Sequence, residues 1–241
     1  MKLPNLRMRS FLSSAIDFLY PPCCVSCSGI VDQSADVLCL ECAGALPLIS
    51  APYCPRCGAP DIENSHLCTL VNPGRNFHLA RSAAVFDEQV QKLIHRLKYQ
   101  RRRHIGTYFG EKLGKMIEKD EQVAHISWLV PVPLHRTRLR ERGYNQSDFV
   151  TQGISTITKL PIQTGILERT RNTRSQTKLS QDERAVNMRD VFRVTDRAAV
   201  KNQRIGLVDD VMTTGSTFDS CAGALLEAGA EKVFALAIAR A

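Results

Sequence analysis

The chain has 241 residues, 44% of them hydrophobic and 23% charged, with 32 Lys+Arg against 24 Asp+Glu for a formal charge of +8. This is the composition of a folded chain rather than a disordered one, and it contains no apolar run of about 18 residues, the length a membrane-crossing helix needs. At roughly 100–200 residues per domain there is room for one α/β domain and a small appendage, and the positive balance points to anionic partners, phosphates or nucleic acid.

In chain order, Phe11 to Tyr20 reads as an amphipathic lead-in helix. It carries Asp17, and no small-residue cleavage site follows it, so it does not read as a signal peptide. Eight of the nine cysteines lie before residue 69, which divides the chain into a cysteine-rich module, 1–75, and a second domain, 76–241. A long cysteine-poor partner region without a signal peptide favours metal thiolates in the reducing cytoplasm over a secreted disulfide framework. Cys24-x-x-Cys27 and Cys39-x-x-Cys42 are separated by eleven residues, the spacing of two knuckles closing on one tetrahedral Zn²⁺. A four-thiolate site has no open position, so its role is structural. Cys23 is a spare or competing ligand. Cys54-Pro-Arg-Cys57-Gly58 forms a third knuckle, and Cys68 arrives where a fourth would begin, but Val71 stands where its second cysteine is expected. A second metal on Cys54, Cys57 and Cys68, completed by His66 or His78, and a metal-free turn are both open. Pro52, Pro55, Gly58, Pro60, Pro73 and Gly74 make residues 50–76 the loop-rich end of the module.

A different texture begins at Arg81. Residues 81–86 read as a strand, and Val90, Leu93, Ile94 and Leu97 recur at helical spacing up to about Lys98, with a second helix from about 103 to 119. Ile126 to Val132 is a β-type run, 145–158 a helix, and short strands are expected near 162–167 and 191–195. Arg204 to Val208 is a buried strand, Ser216 to Glu227 a helix stopped by Gly229, and Val233 to Ala239 a last buried strand. Near-continuous apolar strands alternating with helices predict an α/β fold with a parallel sheet covered on both faces. No internal repeat or heptad array is evident.

Ile205 to Thr217 is the most informative stretch: an apolar strand, Asp209-Asp210, a small hydroxyl/glycine loop and a helix start. Such a loop aims backbone N–H groups and hydroxyls at one small volume, and the helix N-terminus adds partial positive charge, so a phosphate monoester fits. The acids suit vicinal sugar hydroxyls beside it or a metal-bound polyphosphate. An ordinary capped helix would explain Thr214 or Ser216 but not the paired acids. The stretch resembles the signature of type I phosphoribosyltransferases, which holds 5-phosphoribosyl-1-pyrophosphate (PRPP). By that resemblance Asp209 and Asp210 contact the ribose hydroxyls, and Thr213, Thr214, Gly215, Ser216 and Thr217 surround the 5-phosphate, with Mg²⁺ accompanying PRPP.

Val130 to His135 is similar to the strand-to-loop turn that holds pyrophosphate in enzymes related to amidophosphoribosyltransferase, with Pro133 and His135 as candidates; proline fixes such a turn rigidly. Arg136, Arg138, Arg140 and Arg142 follow, and guanidinium suits pyrophosphate or nucleic-acid phosphate. Lys98 with Arg101, Arg102 and Arg103 forms a second basic cluster, which a helix C-terminus favours for local reasons as well. A third, Arg169, Arg171, Arg174, Gln176, Lys178 and Arg184, runs through a polar segment that suits a hood over a ligand.

Together, the knuckles, Leu97-Lys98-Tyr99, Pro131 to His135, Arg140-x-Arg142-Gly143-Tyr144-Asn145-Gln146, Arg171-x-x-x-Ser175-Gln176, Glu183-Arg184-x-x-Asn187 and the Asp209-Asp210 loop resemble the ComF family of competence-associated proteins. The likeness runs from about Leu19 to Arg240. It implies a type I phosphoribosyltransferase fold behind a zinc-binding module, in a cytoplasmic protein of natural transformation. Such a protein would handle incoming single-stranded DNA at the inner face of the membrane, brought there by a DNA-uptake or recombination partner because the chain has no integral membrane segment. Two alternatives stand beside it: a nucleotide-salvage phosphoribosyltransferase, and a non-catalytic PRPP-sensing DNA-binding protein. No nucleobase-selecting segment is recognisable, so the acceptor is open.

Overall fold

The computed structural model describes residues 22–31, 37–60, 68, 75–170 and 191–241. The expected lead-in helix, His66, Val71 and the third basic cluster from Arg171 through Arg184 to Asn187 lie outside these residues. Two compact units divide at Leu46 and Pro47, so the third knuckle belongs to the second unit rather than to the first.

In the first unit, Cys23 and Ile30 form an antiparallel bridge around the Cys24 knuckle. The Cys24 N–H donates to Gly29 O at 2.7 Å and the Ser28 N–H to Cys24 O at 2.9 Å, with Ser28 left-handed at φ 66. A short helix, α1 (Leu40–Gly44), starts at Cys39, whose Sγ accepts the Cys42 N–H. The same knuckle returns thirty residues later in the second unit. Tyr53 bridges Pro60, Cys54 N–H donates to Ala59 O and Gly58 N–H to Cys54 O, both at 2.8 Å, and Gly58 again has φ 66. The Cys-x-x-Cys spacing marks this copy in the sequence as well. Glycine is required at the second copy: a Cβ on Gly58 would lie 2.8 Å from Ala80 O.

The second unit runs β1 (Leu79–Val85), α2 (Glu88–Tyr99), α3 (His104–Ile117), β2 (Trp128–Pro131), α4 (Arg136–Arg142), α5 (Gln146–Thr158), β3 (Leu167–Arg169), β4 (Phe192–Val194), α6 (Arg197–Val200), β5 (Arg204–Met212), α7 (Ser216–Glu227) and β6 (Lys232–Arg240). Four strands form one sheet in the order β1-β6-β5-β2, every pairing parallel. Its two inner strands are buried along nearly their whole length, the burial that explains their continuous apolar runs. One layer of core joins Phe218, Cys221 and Leu225 of α7 to alternate sheet residues Ile205, Leu207, Val233 and Ala235. The intervening residues face the other way, beneath α3 and α5. A separate antiparallel pair, β3–β4, flanks the third basic cluster on both sides.

Two elements depart from expectation. The β5 strand continues through the acids to Met212, because Asp209, Val211 and Met212 stay in register with Ala237, Ala239 and Arg240 of β6. The arginine-rich stretch after Pro133 is a helix, α4, begun by a His135 cap and ended by Gly143 at φ 80.

The third knuckle is pinned to the sheet by a buried charge. Arg81, 1% exposed, pairs with Asp120 and donates to Pro55 O at 3.0 Å and Gln122 Oε1 at 2.7 Å. Tyr53 donates to the same Asp120 at 3.1 Å. Partners on every side make this burial tolerable, since a lone buried charge is strongly destabilising. Among the described residues no helix is long and apolar enough to cross a membrane.

Helices α3 and α5 approach through glycine. Gly106, Gly110 and Gly114 repeat every four residues on one face of α3, and a Cβ on Gly110 would lie 2.2 Å from Val150 O. A Cβ on Gly153 of α5 would lie 2.2 Å from Thr107 O. Gly110→Ala is therefore expected to lower stability by ~1–3 kcal/mol despite the better helix propensity of alanine; an unchanged urea midpoint would show that the helices can separate freely.

Candidate functional site

The site is built where β5 leaves the sheet. Pro131 is opposite Val208 in the β2–β5 register, so the turn through Pro133 to His135 emerges beside the acids. Beyond Met212, Thr213 and Thr214 are exposed and Gly215 turns at φ 75 into the 12-residue helix α7. The Thr214 and Ser216 hydroxyls hydrogen-bond to each other. The mouth of this turn thus presents hydroxyls and the N–H groups of a helix start, a combination suited to a phosphate.

The two acids are held differently. Asp209 Oδ1 accepts the Ser147 hydroxyl at 2.9 Å and the Asp210 N–H at 2.8 Å. Asp210 Oδ1 accepts Lys98 Nζ at 2.8 Å, while its Oδ2 is buried with no hydrogen-bond partner among the described residues. An unsatisfied buried carboxylate oxygen is destabilising by about 1–3 kcal/mol or more, and it is a ready acceptor for a ligand hydroxyl or a cation. Burial and, next, the negative charge of Asp210 push the Asp209 carboxyl up to about 7; the Asp210 N–H, Lys98 and Ser147 oppose them. Asp209 keeps part of its surface open although protein closes round it.

The Arg-Gly-Tyr-Asn-Gln string is the brace of this site. Gly143 ends α4; Tyr144, 7% exposed, donates its hydroxyl to Leu97 O, fixing the last turn of α2 and therefore Lys98. Asn145 caps α5 by accepting the Ser147 N–H at 3.3 Å, and its amide donates to Val132 O at 3.0 Å. One six-residue stretch thus links the turn after β2, the lysine on α2 and the serine on Asp209. Arg142 donates to Gln146 Oε1 and lies 5.4 Å from the ring centroid of Tyr99.

Of the basic candidates, Lys98 joins the acids directly. His135 sits at the start of α4, its Nδ1 accepting the Thr137 N–H at 3.3 Å. Arg140 is exposed on α4, Arg142 is engaged as described, and Arg184 lies outside the described residues. Three residues, Ser147, Arg75 and Asn76, had no sequence signal. Ser147 looked like an ordinary helix residue. Arg75 donates to Thr214 O at 2.9 Å, and the Asn76 N–H to Asp219 Oδ1 at 2.7 Å, so the end of the proline-rich stretch props the phosphate turn. Arg169 on β3 lies within electrostatic reach of Asp209, Cys221 and Arg138, and burial pulls its pKa down.

Both cysteine groups have donor sets that suit zinc. The sulfurs of Cys24, Cys27, Cys39 and Cys42 all lie within 4.8 Å of one another, as do those of Cys54, Cys57 and Cys68. In the first group Cys24 accepts the Ser26 N–H and Cys27 the Gly29 N–H, each at 3.4 Å, the backbone donation by which knuckles orient thiolates. His78 is not a member of the second group; its ring stands edge-on to Phe234 at 5.8 Å.

These features define a zinc-ribbon protein whose larger unit is a parallel α/β domain with two acids before a hydroxyl-rich turn, and comparison with known proteins places it in a family. A double zinc ribbon domain model matches residues 15–71. The chain is 29% identical over 226 residues to competence protein F of Haemophilus influenzae, covering 90% of this chain and 96% of the relative. It is 32% identical over 187 residues to DNA utilization protein YhgH of Escherichia coli, covering 75% and 80%, and 26% identical over 199 residues to competence protein ComFC of Bacillus subtilis, covering 80% and 79%. The chain belongs to the ComF family. Among solved structures, glutamine PRPP amidotransferase of B. subtilis complexed with ADP and GMP aligns with a TM-score of 0.40 at 23% identity. That alignment covers 60% of this chain, which spans 30% of the length of the solved one.

The acid pair makes a pH prediction. A carboxyl whose folded pKa is raised binds its proton more tightly when folded, so its contribution to stability is full below about pH 4 and is lost as pH rises through about 7. Carboxyl NMR of the free protein should find Asp209 half-titrated near neutrality, and Asp210→Asn should return it toward the ordinary carboxylate range. A midpoint unmoved by Asp210→Asn would show that the two acids do not interact.

Proposed function

We propose that the second unit binds PRPP with Mg²⁺ and works as a phosphoribosyltransferase-type domain in the handling of incoming single-stranded DNA. The observation that carries this reading is the Asp209-Asp210 pair, with the buried Asp210 Oδ2 unpartnered among the described residues, directly before a hydroxyl-rich turn and a helix N-terminus. Asp209 and Asp210 accept the ribose hydroxyls; Thr213, Thr214, Gly215, Ser216 and Thr217 take the 5-phosphate. The diphosphate lies toward Pro133, His135 and the arginines of α4, where Mg²⁺ would offset its charge. When pyrophosphate leaves, the anomeric carbon gains oxocarbenium character. The carboxylates that hold the ring hydroxyls fix the sugar for that step, so catalysis is positioning and charge stabilisation. Lys98 holds one oxygen of Asp210 in the free protein, and ribose binding recruits the oxygen that Lys98 leaves unused.

The nucleic-acid part rests on surface chemistry. Arg101, Arg102 and Arg103 are exposed at the end of α2, and Tyr99 is 61% exposed beside the Arg142 guanidinium. Tyr144 is buried, and Tyr108 partly so, which leaves Tyr99 as the stacking residue of the three tyrosines near these clusters. The names of the relatives, competence and DNA utilization proteins, fit a role in natural transformation. The protein acts in the cytoplasm, reaching the inner face of the membrane through a DNA-uptake or recombination partner, and zinc serves a structural purpose.

Two experiments test this. In calorimetry with Mg²⁺ and PRPP, Asp209→Asn/Asp210→Asn should lose at least about tenfold in affinity while keeping its circular dichroism spectrum; unchanged binding removes the assignment. For single-stranded oligonucleotides, log K against log salt should fall by about 0.7 per phosphate contacted, and Tyr99→Ala should cost about 1–3 kcal/mol. A flat salt dependence, or full affinity in Tyr99→Ala, contradicts the proposed DNA surface.

A further inference from the structure

The strand starts, at the end of the sheet away from the acids, gather a separate set of basic side chains. Arg204 opens β5 and faces Lys232, the first residue of β6. His78 stands just before β1, its N–H donating to Val233 O at 2.7 Å. Its imidazole is edge-on to the buried Phe234 ring at 5.8 Å, and the Arg204 guanidinium lies 5.8 Å from the centroid of the same ring. Because the strands run in the order β1-β6-β5, His78, Lys232 and Arg204 form a row that steps by about 4.8 Å from strand to strand. Arg56, exposed on the third knuckle, extends the row at the outer edge of β1, where its carbonyl accepts the Ala80 N–H at 2.8 Å. Burial and then the charges of Lys232, Arg204 and Arg56 pull the His78 pKa down, so all three cations lie within electrostatic reach of the imidazole. Five residues of β5, about 16 Å at ~3.3 Å per residue, separate Arg204 from Asp209, and the row therefore takes no part in the ribose site.

Its charge is poorly compensated. Among the described residues the carboxylate that pairs with it is Glu231, half exposed and 3.9 Å from Arg204 Nε, a geometry in which an ion pair contributes little. Arg204 Nε is buried and makes no hydrogen bond among the described residues. Cations held together repel one another, and an anion from outside relieves that repulsion. The backbone indicates which kind of anion. A single phosphate is cradled by free N–H groups, but here they are spent inside the fold: His78 on Val233 O, Glu231 on Gln203 O at 2.8 Å and Arg204 on Ser127 Oγ at 3.3 Å. What remains is a line of side-chain charges across the strand starts, which suits a chain of phosphates better than one phosphate.

We infer that this row binds the phosphodiester backbone of single-stranded DNA, as a contact separate from the PRPP pocket and from the Tyr99 surface. The role rests on the proposed handling of single-stranded DNA and extends its footprint to the opposite end of the sheet. With the Phe234 ring buried beneath the row, binding there is electrostatic and indifferent to base sequence.

The test uses the full chain and an oligothymidylate. Arg56→Gln/Lys232→Gln, which alters no residue of the ribose site, should lower the slope of log K against log salt by about 1.4, two contacts at about 0.7 each. PRPP binding with Mg²⁺ should stay unchanged in calorimetry. Imidazole NMR locates the contact: the His78 ring resonances should move when the oligonucleotide is added to the wild type and move little in the double variant. A slope unchanged in the double variant, with Tyr99→Ala still weakening binding, overturns the row and leaves the DNA-handling reading standing. A flat salt dependence in the wild type removes that reading and the row with it. Inorganic phosphate that moves the His78 resonances as far as the oligonucleotide does, at equal phosphate concentration, marks a small-anion site and also overturns the inference.

Discussion

Two adjacent carboxylates at the end of a strand buried on both faces place opposing demands on the chain. Taken from water without partners, neighbouring charges of like sign destabilise the fold, yet saturating every oxygen would leave nothing for a ligand. The structure meets both demands by bringing in a lysine from α2, a serine from α5 and the backbone N–H of Asp210, while leaving Asp210 Oδ2 unpartnered among the described residues. Because Lys98 and Ser147 must reach the same few ångströms, the last turn of α2 and the first turn of α5 have to converge on β5. The hydroxyl of Tyr144 on Leu97 O and the amide of Asn145 on Val132 O enforce that convergence. The glycine contact between α3 and α5 lets the second helix come close enough.

The Arg-Gly-Tyr-Asn-Gln string is a mechanical part of the site. Its arginine is engaged with its glutamine and the Tyr99 ring, its tyrosine is buried, and its asparagine is a cap. The third knuckle has a comparable role inside the same unit. Buried Arg81 fastens it to Asp120 and Gln122, Arg240 meets its Cys57, and the chain beyond it ends in Arg75 and Asn76, which hold the phosphate turn and the first turns of α7. The cysteine-rich sequence is therefore not one appendage: half of it is scaffolding for the ligand site.

Much of this was legible because a few physical signals are strong in a single chain. Apolar strands buried on both faces read as continuous runs, helices with one wet face read by their period, and Asp209 to Thr217 read as strand, acids, turn and helix. Other features were silent. Ser147 and Arg75 act through single hydrogen bonds that no periodicity marks. The glycines of α3 lie on the face that meets α5, where a helix reading registers only weak propensity. The Arg136 to Arg142 segment has no apolar stripe, so its helix depends on caps at His135 and Gly143. Composition drew a line at residue 75 because it counts cysteines; compactness divides the chain after Leu46 because Arg81 and Arg240 draw the later knuckle onto the sheet.

The central claim is that one pocket, acids on one side and phosphate turn on the other, is shaped for a phosphorylated ribose. Competition calorimetry on the unaltered protein addresses it most directly. PRPP with Mg²⁺ should bind one site per chain, ribose 5-phosphate should displace it through the shared sugar and 5-phosphate contacts, and inorganic pyrophosphate alone should compete less well. Binding of pyrophosphate with no competition from ribose 5-phosphate would mean that the basic residues, not the acids and the turn, select the ligand, and the account would fail.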